Sequence, residues 1–170
     1  MQALFYITAI IALAAAARVV TGVNAVHALL HLIVTLLAVA LLFFMLGAPF
    51  AAALEIIIYA GAIMVLMVFV IMMLNQGDAA VENERLWLSG RLWWGPAALA
   101  AILLAETSYL VLAGGGSGVE PRPVDGPAVG RALYGPYLLA VELASILLMA
   151  ALVGAFHLSR KLRGRGRTQP

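Results

Sequence analysis

Two side chains four residues apart could exchange protons inside an otherwise hydrocarbon stretch. Residues 54–75 read LEIIIYAGAIMVLMVFVIMMLN and carry a carboxyl at Glu55 and a phenol at Tyr59. An i, i+4 pair shares one helix face. The two can therefore bond each other or meet a common file of water. An ionisable group within a membrane span is costly, which makes it a functional-site candidate by default. The alternative for Tyr59 is an aromatic ring packed in a bundle. Two further carboxyls, Glu106 and Glu142, also stand in apolar surroundings. His27, His31 and Thr35 form an i, i+4, i+8 stripe, and His157 lies near the end of the last apolar run. Two histidines on one face suit a metal, and histidines from two helices suit a haem. No acid accompanies the pair at its depth, so interfacial hydrogen bonding is the favoured role. Met64, Met67, Met72 and Met73 read as adaptable apolar filling and not as copper ligands.

The elements that position these groups follow from composition. Of 170 residues, 65% are hydrophobic and 11% charged. Soluble domains run at about 45–50% and about 25%, so the expected fold is an all-α integral membrane domain. The chain has no cysteine, which excludes disulfides, thiolate zinc sites and cysteine-held iron–sulfur clusters. A span needs about 17–25 apolar residues. Five stretches qualify: 3–20, 25–46, 50–74, 92–113 and 132–158. The first has no basic residues ahead of it and reads as a retained span, not a signal peptide. Links of a few residues at 21–24 and 47–49 force antiparallel neighbours. The link 75–91 holds Trp87, with Trp93 and Trp94 just beyond it, which marks a membrane interface. The Gly/Pro-rich link 114–131 is expected to lack regular structure.

Basic residues orient the bundle. With the N-terminus outside, Arg18, Arg85, Arg91, Arg160, Lys161, Arg163, Arg165 and Arg167 fall inside, against Arg122 and Arg131 outside. That imbalance predicts a periplasmic N-terminus and a cytoplasmic C-terminus, with 159–170 as a basic tail beside anionic lipid and not a nucleic-acid site.

This topology sets Glu55, Glu106 and Glu142 at similar depth, roughly 7–15 Å below the outer boundary at about 1.5 Å per residue. Either the three form a protonatable cluster, or each separately satisfies a polar group on a neighbouring helix. Thr107, Ser108 and Tyr109 give Glu106 polar company. Two readings also stand for Ala60-Gly61-Ala62. Small residues permit close helix packing, or they mark a local π-bulge of the kind found at functional sites. The residues alone favour packing. The 50–74 stretch would be about 37 Å of α-helix against about 30 Å of hydrocarbon, an excess that tilt can absorb.

The stretch ALEIIIYAGAIMVLMVFVIMMLN resembles the third transmembrane helix of the chain J (mitochondrial subunit 6) family of the proton-pumping NADH:quinone oxidoreductase, respiratory complex I. ARVVTGVNAVHALLHLI, ERLWLSGRLWWGPA and YGPYLLAVELASILLMAALVGAFHL are similar to that family's second, fourth and fifth helices. Met67 and His31 stand where the family often has phenylalanine and tyrosine. The resemblance implies a five-helix subunit in the membrane arm of a bacterial inner-membrane complex. Its partners would be other membrane-arm subunits and the lipid bilayer, not copies of itself. No cofactor is expected in this chain, with FMN, iron–sulfur clusters and quinone in partner subunits. The resemblance also implies a third helix whose π-bulge relaxes to α-helix around Tyr59, Gly61 and Val65. A change of register by one residue would turn the following face by about 100°. The expected function is therefore coupling of quinone reduction to proton translocation, with Glu55, Tyr59, Glu106 and Glu142 as proton-path candidates. The chain alone is not expected to be catalytic. The alternative is a scaffold subunit without proton traffic. A stand-alone transporter fits poorly, because no paired halves or internal repeat are visible.

Overall fold

A computed structural model of the chain describes residues 2–22, 24–74, 90–112 and 124–165. Their elements are α1 (Gln2–Thr21), α2 (Ala25–Met45), α3 (Pro49–Leu54), a π-helical segment (Glu55–Ile63), α4 (Met64–Leu74), α5 (Gly90–Leu112), α6 (Gly126–Leu133) and α7 (Leu138–Arg165). The π segment joins α3 to α4 without interruption. No strand occurs among the described residues. Five helices are long and apolar enough to cross a membrane: Gln2–Thr21, Ala25–Met45, Pro49–Met73, Trp93–Leu112 and Leu138–Arg160. The chain divides into two compact units, Met1–Asp125 and Gly126–Pro170.

In the first unit the short links hold α1, α2 and the third span together. Asn24 starts α2, its side-chain oxygen accepting from the backbone N–H groups of Val26 and His27 at 3.0 and 3.3 Å. Such a cap satisfies donors that the first turn leaves free. Gly47 ends α2 with φ 81°, the left-handed conformation that disfavours a side chain. Around it Ala48 N–H donates to Phe43 C=O at 3.0 Å and Gly47 N–H to Phe44 C=O at 3.1 Å. That pair of bonds is the Schellman arrangement. Pro49 then occupies the first turn of α3, where its missing N–H costs nothing. Gly47 C=O also accepts from Val124 N–H at 2.9 Å, which ties the end of the fourth link to this turn.

The core lies where α1, α2 and α5 meet. Ile11, Ala15, Val34, Ala38, Leu41, Met45, Leu103 and Leu110 form one buried cluster. Ala15 and Ala38 are fully enclosed. Small residues let helix backbones approach, and in lipid it is this close packing that holds helices together. Pro96 sits within α5 and is buried, with Gly95 beside it. A Cβ on Gly95 would stand 3.6 Å from His31 Nε2, so the glycine brings α5 onto the ring of a buried histidine in α2.

The second unit corrects two expectations. The fifth span begins at Leu138, not at 132, because residues 134–137 form a turn. Pro136 disfavours helical backbone at the residue before it, and Gly135 accepts the resulting tight approach. A Cβ there would lie 2.7 Å from Arg131 C=O. The link also is not devoid of structure, since α6 occupies Gly126–Leu133. Asp125 precedes it and Pro127 falls in its first turn, both favoured at helix starts. The Trp87 interface marker and the remainder of both links lie outside the described residues.

Candidate functional site

The third span departs from α geometry where the polar residues are. Glu55 closes α3, its N–H reaching both Ala51 C=O and Ala52 C=O. Met64 N–H then bonds Tyr59 C=O, five residues back, as π winding requires. Between them run Ile56, Ile57 and Ile58, whose branched Cβ atoms crowd a preceding α turn, and Gly61, which contributes no side chain. Gly61 sits close to the backbone it follows. A Cβ on it would stand 3.1 Å from Ile56 C=O, tighter than ordinary contact.

This span is turned mostly outward. Glu55 is half-buried, Tyr59 is 50% exposed and Val65 63% exposed, while Met64 is buried. Neither the Glu55 carboxyl nor the Tyr59 hydroxyl has a hydrogen-bond partner among the described residues, and the two do not bond each other. The face can therefore take a donor or acceptor from outside the chain.

Glu106 is placed differently. Its carboxyl is buried, at 6% exposure, and points to α1. Oε2 lies 2.8 Å from Thr8 Oγ1, a fully buried hydroxyl that is also 2.9 Å from Leu4 C=O. Oε1 has no partner. Thr8 carries no warning in the sequence beyond being a hydroxyl inside an apolar run, and 98 residues separate it from Glu106.

The α2, third-span and α5 helices enclose a cavity of about 480 Å³, lined by apolar groups such as Leu37, Phe44, Ala52, Ile56 and Leu103, with Thr107 its polar member. Ile56 and Thr107 are the chain neighbours of Glu55 and Glu106. The two acids thus stand at a similar level, each six residues from the end of its span, about 9 Å along the axis. Their carboxyls do not line the cavity. Glu142 belongs to the second unit, is exposed, and stands four residues into α7, about 6 Å from its start. Among the described residues no three acid or histidine side chains converge.

On α2, His31 Nδ1 lies 2.9 Å from His27 C=O, and Thr35 donates to His31 C=O at 2.9 Å. The two imidazoles meet edge to face at 5.4 Å. The accepting carbonyl places the His31 proton on Nδ1 and leaves Nε2 facing Gly95. His157 is exposed on α7, in the second unit.

Comparison with known proteins adds the wider frame. Residues 15–158 match the family described as NADH-ubiquinone/plastoquinone oxidoreductase chain 6. NADH-quinone oxidoreductase subunit J of Pseudomonas aeruginosa is 60% identical over 163 residues, covering 95% of this chain and 98% of that protein. Subunit J of Escherichia coli K12 is 55% identical over 163 residues, with 96% and 89% covered. Subunit J of Buchnera aphidicola from Acyrthosiphon pisum is 45% identical over 158 residues, covering 93% of both chains.

Proposed function

We propose, for a chain that belongs to the NADH-ubiquinone/plastoquinone oxidoreductase chain 6 family, that it couples quinone reduction to proton translocation by rewinding its third span. As a subunit J it is part of an NADH-quinone oxidoreductase, and its partners are the other subunits of that complex. The observation that carries the coupling role is the π-helical segment Glu55–Ile63, set inside a span and containing Glu55, Tyr59 and Gly61. Each hydrogen bond of a π segment reaches back five residues, where those of the flanking α-helices reach back four. Returning it to α winding turns everything beyond it by about one residue, or about 100°. Val65 and the α4 face would swing with it. Glu55 and Tyr59 sit within the segment, so their position relative to that face changes with the winding. A polar path lined partly by this chain can be made in one state and broken in the other, which is a two-state switch.

The placement we propose is the membrane arm of the complex in the bacterial inner membrane, N-terminus periplasmic and C-terminus cytoplasmic. The basic-residue imbalance supports that orientation. The outward apolar faces of the third span and of α7 support burial against lipid and neighbouring subunits. In this reading FMN, iron–sulfur clusters and quinone belong to partner subunits, and this chain contributes helix motion and protonatable side chains.

Glu55→Gln tests the proton role. The variant complex is expected to assemble, with lowered turnover and fewer protons moved per electron in sealed vesicles. Unchanged turnover and stoichiometry would leave Glu55 structural and favour a scaffold role.

A further inference from the structure

We propose that Glu106 is carried as a neutral carboxylic acid, a proton-holding site closed by the Thr8 hydroxyl at the contact of α1 with α5. It goes beyond the coupling role of the third span and does not depend on it.

Thr8 Oγ1 lies within bonding distance of two oxygens, Leu4 C=O at 2.9 Å and Glu106 Oε2 at 2.8 Å. A hydroxyl has one hydrogen to donate and lone pairs to accept with. If Glu106 were ionised, both neighbours would be pure acceptors, and the hydrogen could serve only one. The other contact would set two lone-pair-bearing oxygens against each other inside the protein. If Glu106 is protonated, both contacts are hydrogen bonds in one chain. Oε2–H donates to Thr8 Oγ1, and Thr8 Oγ1–H donates to Leu4 C=O.

The other carboxyl oxygen agrees. Oε1 is buried and has no donor among the described residues. A buried ionised oxygen without a donor is far more costly than the carbonyl oxygen of a neutral acid. Among the described residues no charge is bonded to it. From α1 the ionisable groups are Tyr6, which is exposed, and Arg18, ten residues from Thr8 and so about 15 Å along the helix. From α2 they are His27 and His31. Gly95 meets His31 and is eleven residues from Glu106, again about 16 Å away. From the third span they are Glu55 and Tyr59, and on α5 itself the exposed Tyr109. None of these bonds Glu106 among the described residues.

In E106Q the side-chain amide would donate to Thr8 in the same way.

The test uses the purified, assembled complex with Glu106→Gln and, separately, Thr8→Val. Infrared spectra of wild type minus E106Q should contain the C=O band of a protonated carboxyl, shifted in D2O. The two complexes should retain this subunit equally on heating, since the glutamine amide makes the same donation. In T8V the carboxyl band should move to higher frequency, since the acid loses its acceptor. A carboxylate band in place of the acid band at neutral pH overturns the proposal. So does a loss of this subunit from E106Q on heating that wild type does not show. Should E106Q fail to assemble, T8V decides alone: an up-shifted acid band supports the site, and an unchanged one overturns it.

Discussion

Adding a single methyl group at Gly61 should bias the winding of the third span. The Cβ of Gly61→Ala would stand 3.1 Å from Ile56 C=O, whereas ordinary contact starts at 3.4 Å. The methyl or the carbonyl must therefore yield by 3.4 − 3.1 = 0.3 Å. In α winding Ile57 C=O takes the place of Ile56 C=O against residue 61, so alanine favours α to the extent that its contact there is the ordinary one. Overpacking by a methylene costs about 1–3 kcal/mol, and a shift this small belongs at the low end. A bias of about 1 kcal/mol moves a two-state ratio roughly fivefold, here toward α. The helix propensity gained by alanine over glycine, about 1 kcal/mol, supports both windings and leaves their ratio alone. Gly61 is exposed, so alanine tests the winding with far less intrusion on neighbouring subunits than leucine would. The assay is NADH:quinone reductase turnover and proton pumping in vesicles, together with amide hydrogen exchange of residues 59–65. Turnover and pumping should fall together, and exchange should slow as the segment spends longer in α winding. Full activity with unchanged exchange would rule out a winding bias at Gly61, since the added atom would then meet no constraint that matters.

Two perturbations probe the frame that holds the span. Gly47→Ala forces a side chain into left-handed backbone at φ 81° and should cost about 1–2 kcal/mol, read as less assembled complex and a lower dissociation temperature. Ala15→Leu places a large side chain at a fully enclosed position and should cost about 1–3 kcal/mol, read as loss of this subunit from the purified complex.

The five spans were legible because bilayer thickness fixes a length, and unbroken apolar runs of that length admit few readings. The link at 47–49 was legible because two apolar runs meet there; glycine then permits the left-handed turn and proline fixes φ at the next helix start. The break at Gly135-Pro136 carries the same chemistry, yet the apolar run around it outweighed the dipeptide in the reading of 132–158 as one span. Gly126–Leu133 was hidden by the opposite effect, a short helix inside a Gly/Pro-rich link. The winding of Glu55–Ile63 was not legible from the residues alone. Ala60-Gly61-Ala62 serves close packing as well as it serves a π segment, and three consecutive isoleucines occur in both. The family resemblance points to a bulge around Tyr59, Gly61 and Val65; the span holds a π-helical piece at Glu55–Ile63, which leaves Val65 in α4. The Thr8–Glu106 contact joins residues 98 apart, and only tertiary packing brings them together. It also separates Glu106 from the three-acid cluster that depth alone suggested, because its carboxyl turns to α1 and away from the cavity beside Ile56.

The most direct measurement is the winding of Glu55–Ile63 in the whole complex, seen at side-chain resolution at rest and during turnover. The expected result is π winding in one state and α winding in the other, with Val65 and the α4 face turned by about 100° between them. Identical winding in both states, with turnover intact, would contradict it.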